Sequence, residues 1–332
     1  MRGTHAVGRA VVVLVVAAAG TLASWFLFVE YPVSLTDLLG ILVALGTVAA
    51  AVQVGSRLAG SVFPGYNVAE VAVEGPIQRE TGGMGRGLAP GSPGADAVVE
   101  QIERADADRN AEALLVKLNT PGGQVVPSDD IRQAAADFEG PTVAYTNDVC
   151  ASGGMWIASG CDELWARDAS LVGSIGVIFA SFRINELLED YGVSYERIVS
   201  GDYKDATQPF KELEEHEREY LQGISDAWYD TFVERVAEGT AMDEAEIRET
   251  EAKIYLGEEA VDIGMVDALG DREAVETSLE DRLGEPVDVR EFTPRLGLTE
   301  RLRSGAQGLA YAFGAGIAGT VVDGDGSSLR LR

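Results

Sequence analysis

The sequence contains very little histidine. Its 332 residues include only two, His5 near the N-terminus and His216 within the charged run KELEEHERE. A Ser-His-Asp triad needs a histidine that its neighbours hold in the site, and neither of these lies in an apolar, site-like context. The scarcity of histidine therefore argues against a triad, so a nucleophilic serine in this chain must use a different base.

Cysteine is equally scarce. Cys150 and Cys161 are the two cysteines, and they lie eleven positions apart. This number and spacing exclude a disulfide framework and fit no zinc-binding pattern. We expect two small, buried, apolar residues.

Lysine is rare, and acidic residues far outnumber basic ones. Of 26 basic residues only four are lysine, namely Lys117, Lys204, Lys211 and Lys253, whereas 54 residues are acidic and the net charge is −28. Nucleic-acid partners are excluded, because phosphates require clustered Lys and Arg. An acidic, lysine-poor surface is typical of a halophilic protein, since high salt screens a large net charge.

Long uncharged runs occur near the N-terminus, at 10–29 and 38–56. Twenty helical residues span about 30 Å, the thickness of the hydrocarbon core of a membrane. We therefore predict that residues 1–57 form a membrane anchor of two transmembrane helices. A cleaved signal peptide ending near AAAG, or one span followed by a helix lying on the membrane, are the alternatives.

The orientation of this predicted anchor rests on three arginines. Arg2 and Arg9 precede the first run and Arg57 follows the second. The positive-inside rule then favours a cytoplasmic side for the N-terminus and the following domain, although so few charges leave the side open.

The rest of the chain predicts an α/β fold. Residues 58–95 contain a linker, the first strand and a Gly/Pro-rich loop (79–94), and from about residue 67 strands alternate with helices, which favours largely parallel strands. Strands are predicted at 68–75, 112–119, 141–147, 162–166 and 194–200, and helices at 95–108, 128–138, 182–192 and 211–238. The tail, 293–332, includes a Gly/Ala-rich run at 304–322 that suits either oligomer packing or a third membrane segment.

One serine follows a predicted strand and precedes an apolar run. Ser152 lies in CASGGMW, after the strand at 141–147. A serine at the mouth of a helix can act as a nucleophile, while the N–H of Gly153 holds the resulting oxyanion. A simple helix N-cap would use the same residue type, so these residues alone leave both interpretations open.

Two further glycines end the strand at 112–119. Gly122 and Gly123, in LNTPGG, would let backbone N–H groups face a cavity and stabilise an oxyanion. An ordinary strand-to-helix turn is the alternative.

A serine without histidine can use a lysine as its base, once burial disfavours the charged form of that lysine. Lys204, in SGDYKDATQPF, is the candidate, because Lys211 and Lys253 lie in charged surroundings and Lys117 alternates with buried strand positions. Ser174, in GSIGVI, could fix the direction of the lysine amine. A solvated lysine and a plain β-turn are the respective alternatives.

Taken in order, the segments resemble the signal peptide peptidase A (SppA-type) serine–lysine peptidases of the ClpP/crotonase fold group. The resemblance covers roughly 67–292, and the lysine lies 52 positions after the serine. Five segments carry it: NTPGG (119–123), ASGGMWIASGCDELWA (151–166), GSIGVI (173–178), SGDYKDATQPF (200–210) and GEEAVDIGMVDALG (257–270). Two departures are Met155–Trp156, where aromatic pairs are more usual, and Asp202, where small or basic residues are common.

The resemblance implies a peptidase domain with a ClpP/crotonase-like spiral of repeated strands and helices. It also implies a nucleophile, a general base, a residue that orients the base and an oxyanion hole: Ser152, Lys204, Ser174, and the N–H groups of Gly153 and of Gly122 or Gly123. The expected activity is that of a membrane-anchored serine endopeptidase that cleaves hydrophobic peptides, such as signal-peptide remnants, without a metal or nucleotide cofactor. The expected partners are these peptides, the lipid bilayer and further copies of the chain in a ring.

Three other functions stay open at this point. A membrane-operon-type peptidase would cleave one specific membrane partner. A crotonase-like enzyme would use the same glycines on acyl-CoA thioesters. A catalytically inactive scaffold is the non-enzyme alternative.

Overall fold

The computed structural model describes residues 2–28, 46–56, 65–79 and 93–294. The chain divides into two units, Met1–Phe292 and Thr293–Arg332. Apart from its first two residues the second unit lies outside the described residues, and so do the predicted segment 304–322 and most of the loop at 79–94.

A single mixed sheet organises the first unit. Its order is β6-β5-β3-β2-β1-β8, with β4 pairing with β3 and β7 pairing with β4. All pairs are parallel except β5 with β6. The strands are β1 Val68–Glu74, β2 Ala113–Thr120, β3 Thr142–Ala151, β4 Glu163–Ala166, β5 Leu171–Gly173, β6 Ile254–Leu256, β7 Ala268–Leu269 and β8 Val289–Glu291. The predicted α/β class with mainly parallel strands is therefore confirmed, while the finer assignment to a ClpP/crotonase-like spiral stays a prediction.

Helices cover both faces of the sheet. The helices of the described chain, not all of which lie on the sheet, are α1 Arg2–Phe28, α2 over the described residues 46–56, α3 Ala95–Asp106, α4 Val125–Ala136, α5 Gly153–Ala158, α6 Asn185–Asp190, α7 Glu215–Gly239, α8 Glu244–Glu249, α9 Gly257–Asp262 and α10 Arg272–Leu283. Neighbouring residues of β2 show the two layers, since Leu114 packs in the core with α3, α4 and α7, and Leu115 packs in the core with α10. Burial on both faces explains why the first four residues of this strand, Ala113 to Val116, are all apolar.

The strand β3 is shared between two neighbours. Its first half pairs with β4, from Val143 to Thr146, and its second half pairs with β5, from Val149 to Ala151. Between the halves the register with β2 shifts. The end of β3 is therefore enclosed by β2 on one side and β5 on the other.

A long segment between β5 and α7, residues 176–214, lies mostly in solvent, and we call it the arm. Its regular structure is the short helix α6. The strand predicted at 194–200 is wrong, because these residues are exposed and β6 occupies the sheet edge beside β5. Ile198, an apolar residue of the predicted strand, is 93% exposed.

The predicted transmembrane helices are also wrong. Among the described residues, no helix combines the length and the apolarity that crossing a membrane requires. The integral membrane location expected for residues 1–57 is corrected accordingly, with residues 29–45 lying outside the described chain.

A buried carboxylate lies in the sheet itself. The side chain of Glu70, in β1, is 8% exposed, accepts a hydrogen bond from the Tyr145 hydroxyl at 3.2 Å and lies 3.1 Å from Arg272 Nε. Burial raises the pKa of Glu70, and the nearby Arg272 only partly opposes this effect. The carboxyl group therefore favours its neutral form in the folded chain more than in the unfolded chain.

This pKa direction predicts how stability depends on pH. A raised folded pKa gives a stabilising contribution that is complete below the unfolded value, about 4.3, and is lost as pH rises through the folded value. Glu70→Gln keeps an acceptor for Tyr145 and should raise the melting temperature by a few degrees at pH 7–8, with the gain vanishing near pH 4. Thermal melts across this range test the expectation, with Glu276→Gln, at the other acidic partner of Arg272, as the control. A Glu70→Gln variant that melts below the parent at pH 8 would contradict it.

Candidate active site

The nucleophile candidate occupies a strained turn. Ser152 lies between the last residue of β3 and the first residue of α5, with φ 51° and ψ −117°. Such a conformation costs a residue with a side chain about 1–3 kcal/mol, and it recurs where a strand turns sharply into a helix to present a nucleophile. Its N–H donates to Gly173 O at 2.9 Å, which ties the turn to the end of β5.

Glycines allow this turn to pack tightly. A Cβ on Gly153 would lie 2.5 Å from Ser128 Oγ, and a Cβ on Gly154 would lie 2.9 Å from Thr120 Cγ2. The two glycines that follow Ser152 therefore let α5 begin directly against β2 and α4. A larger residue at either position would push the serine away.

The turn after β2 lies against the same point. Gly122 has φ 96°, and a Cβ there would be 2.6 Å from Gly153 N and 2.7 Å from Ser152 Cβ. A Cβ on Gly123 would be 2.0 Å from Ile77 O. The two glycine segments that the sequence singled out are thus brought into direct contact.

Backbone hydrogen bonds distinguish the two glycines of this turn. The Gly122 N–H donates to Thr120 Oγ1 at 3.0 Å, and Thr120 Oγ1 donates to Gly75 O at 2.6 Å. Across the described ranges, by contrast, the N–H groups of Gly123 and Gly153 donate to no protein acceptor. Gly123 N lies 3.2 Å from the position that a Cβ on Gly153 would take, so the two N–H groups are close neighbours.

Ser174 lies beside Ser152. Ala151 pairs with Gly173 in parallel register, which places the two following serines at the ends of adjacent strands. Ser174 also has a positive φ, 54°, and its N–H donates to Lys253 O at 2.9 Å. The sequence did not predict this backbone contact from Lys253. The side chain of Lys253 is exposed and pairs with Glu251.

Lys204 is not brought to the serines. It lies in a turn of the arm, where its N–H donates to Gly201 O, and its side chain is exposed. Within the part of the chain that the structure describes, Lys204 Nζ makes no hydrogen bond or ion pair. The sequence-based expectation of a buried lysine is therefore not met in the single chain, and Asp202 is likewise exposed.

Met155 and Trp156, which stand where an aromatic pair is more usual, pack into the core. Met155 is fully buried, and its sulfur lies 3.8 Å from Cys150 Sγ. Trp156 stacks on Phe232 at 4.7 Å between ring centroids and donates from Nε1 to Asp129 Oδ1 at 2.9 Å. Both side chains therefore hold α5 in place.

The two cysteines are free and buried, as the sequence predicted. Burial raises the pKa of both thiols, Cys150 and Cys161. Neither thiol is activated for chemistry.

Comparison with known proteins places this chain in a family. The family model described as Peptidase family S49 matches residues 134–285. "Putative protease MJ0651" of Methanocaldococcus jannaschii is 30% identical over 224 residues, covering 66% of this chain and 70% of that protein. The chain belongs to peptidase family S49. The resemblance to the SppA-type peptidases of this family is confirmed.

Two other relatives are likewise named as a protease and a peptidase. "Putative protease slr0021" of Synechocystis sp. is 36% identical over 53% of this chain and 65% of that protein. "Putative signal peptide peptidase SppA" of Enterococcus faecium is 33% identical over 54% of each. The S49 chain thus spans between about half and 70% of the length of these relatives.

Two solved structures are also similar to this S49 chain. A mutant of the 1510-N membrane-bound stomatin-specific protease has 18% identity and a TM-score of 0.44, over 69% of this chain and 99% of that one. A mutant of ClpP1 from Listeria monocytogenes has 14% identity and a TM-score of 0.42, over 62% of this chain and 94% of that one.

The close packing of the glycine turn predicts a large cost for one added methyl group. Gly122 and Gly192 both have positive φ, 96° and 70°, but a Cβ on Gly192 meets nothing within 4 Å. Gly192→Ala should therefore cost about 1 kcal/mol, the backbone effect alone, whereas Gly122→Ala should cost about 2–3 kcal/mol more because of overlap with Ser152 and Gly153. Denaturant unfolding of both variants measures the difference, and equal losses would show that the turn is not tightly packed.

Proposed function

We propose that this S49 chain is a serine endopeptidase that acts through an acyl-enzyme on Ser152. The observation that carries the proposal is the strained turn, in which Ser152, at φ 51°, adjoins the unengaged N–H groups of Gly123 and Gly153. A simple N-cap role explains this poorly, because the Ser152 side chain makes no capping hydrogen bond.

The chemistry assigns a role to each group. Ser152 Oγ attacks the peptide carbonyl carbon and gives its proton to the base, while the carbonyl oxygen becomes an oxyanion. Two N–H donors preorganised at that point stabilise the charge, and among the described residues Gly123 and Gly153 are a pair whose N–H groups donate to no protein acceptor. The base then returns the proton to the leaving amine, and water hydrolyses the acyl-enzyme.

Lys204 is the proposed general base, with Ser174 orienting its amine. The support is the ordered match to the family segments and the position of Ser174 beside Ser152. Because Lys204 is exposed in the single chain, this role requires that the arm be covered and the amine brought towards the serines.

A homo-oligomer, ring-like as the resemblance implies, is the proposed means of covering the arm. Ile178, Phe182 and Ile198 are 88%, 88% and 93% exposed. Large apolar side chains that project together from one segment mark a contact surface. Packing of a second copy against the arm would bury these residues and remove water from the surroundings of Lys204.

Apolar peptides, such as signal-peptide remnants, are the proposed substrates. Exposed apolar side chains flank the site on two sides: Val126 follows the glycine turn in α4, and Ile254 and Leu256 lie on β6, beside β5. An extended apolar peptide placed across Ser152 would contact both groups.

The proposal predicts which single changes abolish cleavage. Ser152→Ala and Lys204→Ala should each lower kcat for an apolar peptide by about 10³-fold or more, since each removes a reacting group. Lys253→Ala is the matched lysine control and should keep most of the activity, because its exposed side chain pairs only with Glu251. A fluorophosphonate should add its mass to Ser152.

Each contrary result has a distinct meaning. Cleavage that survives Ser152→Ala would overturn the nucleophile, and cleavage that survives Lys204→Ala would overturn the base. Turnover of an acyl-CoA thioester in place of the peptide would indicate the crotonase-like alternative.

A further inference from the structure

One part of the exposed arm is buried. Asp205 and Ala206 are 7% and 2% exposed, although the preceding residue, Lys204, is exposed. Burial of these two side chains requires contacts that hold this part of the arm. The partners of Asp205 show what fixes it.

Four side chains form a compact charged cluster between the arm and the first turn of α7: Arg197, Asp205, Lys211 and Glu217. Arg197 donates two hydrogen bonds to the Asp205 carboxylate, one of them 2.7 Å long. Lys211 Nζ donates to both oxygens of Glu217, at 2.6 and 2.7 Å, and lies 4.0 Å from Asp205 Oδ1. The charges alternate in sign and sum to zero.

The cluster is largely removed from water. The side chain of Glu217 is 0% exposed, and those of Lys211 and Asp205 are 11% and 10% exposed. Although burial opposes it, hydrogen bonds from Lys211 and from the Glu214 N–H hold the pKa of Glu217 below its usual range. The hydrogen bonds from Arg197 likewise hold the pKa of Asp205 low. Because a buried charge without its partner is strongly unfavourable, the four groups act as a unit.

The residue on the other side of Lys204 is also anchored to α7. The Tyr203 ring packs on Tyr220 at 4.7 Å and against His216 at 5.4 Å, between centroids. Lys204 therefore stands between Tyr203, which contacts the first turns of α7, and Asp205, which is linked to α7 through Lys211 and Glu217. Its own side chain is left free to project.

We propose that Asp205, held by the charged cluster, is a positioning residue for Lys204. The cluster fixes the arm backbone at residue 205. In the assembly that the proposed function requires, this fixes the point from which the lysine amine reaches the serine. The inference rests on the proposed function, in which Lys204 is the general base. This role differs from stabilisation of the fold, because it concerns the position of the Lys204 amine and not the amount of folded protein.

A double variant separates position from stability. Lys211→Met with Glu217→Leu replaces the buried ion pair by apolar groups of similar size, a change that often leaves stability unaltered or raised. Its thermal midpoint should fall by no more than a few degrees, the effect of the acceptor that the Glu214 N–H loses at the start of α7. By contrast, kcat for an apolar peptide should fall about 10–100-fold with KM within about twofold, since small misplacements of a catalytic group have effects of this size. Asp205→Asn should show the same division between kcat and KM.

The control breaks a solvent-exposed ion pair on the same helix, away from Lys204. Asp230→Asn removes the charge that Arg248 contacts at 2.9 Å, while the Tyr229 ring still contacts Arg248, and should leave kcat and KM unchanged. The protein is assayed as the full chain in its native assembly. The end point of fluorophosphonate labelling counts the competent Ser152 groups, and kcat is expressed per labelled serine, so that partial unfolding does not imitate a catalytic effect.

The outcomes are distinct. Full kcat per labelled serine in the double variant and in Asp205→Asn, with Lys204→Ala inactive, would overturn this inference alone. A fall in the number of labelled serines at constant kcat per serine would show a purely structural role and would overturn it too. Full activity in Lys204→Ala would instead overturn the proposed function.

Discussion

Close contact between two backbone segments governs the geometry of the site. The turn at Gly122 and Gly123 lies so near the end of β3 that a Cβ on Gly122 would come within 2.7 Å of the serine side chain. The same turn pairs with Ile77, a few residues beyond β1. Three chain segments that follow neighbouring parallel strands therefore meet at Ser152. The cost of its positive φ, about 1–3 kcal/mol, is offset by packing throughout the β1–β2–β3 core.

Among the described residues, the surroundings of Ser152 and the arm differ in how far their side chains are buried. The serine side is mostly buried, with α5 fixed by Trp156 against Phe232 and Asp129. At the turn itself, the N–H groups of Gly123 and Gly153 are left without a protein acceptor in the part of the chain that the structure describes. The arm, by contrast, presents large apolar side chains to solvent and contacts α7 through aromatic rings and the charged cluster. The register shift between β2 and β3 lies next to the serine side. It lets the first half of β3 pair with β4 and the second half pair with β5.

The sequence predicted those features that depend on local patterns. The long buried strands β1 and β2 are rich in apolar residues, and Ser152, Ser174 and the glycines stand where strands end. Because the carboxyl ends of parallel strands meet at one edge, these residues had to come together. The strand at 194–200 failed because Ile198 and Val199 give the apolar composition of a strand, whereas the sheet edge is taken by the three-residue β6, which is too short to recognise.

Tertiary contacts decided what the sequence left open. The choice between Gly122 and Gly123 as donor depends on a hydrogen bond from Gly122 to Thr120, and the burial of Glu217 inside the run KELEEHERE depends on the arm folding over it. The separation of Lys204 from Ser152 has a further meaning. If Lys204 is the base, a lone chain carries a prepared serine with no proton acceptor, so it is latent in the manner of a zymogen. Proteolysis would then switch on with assembly, and dilution alone would silence it without any inhibitor or propeptide.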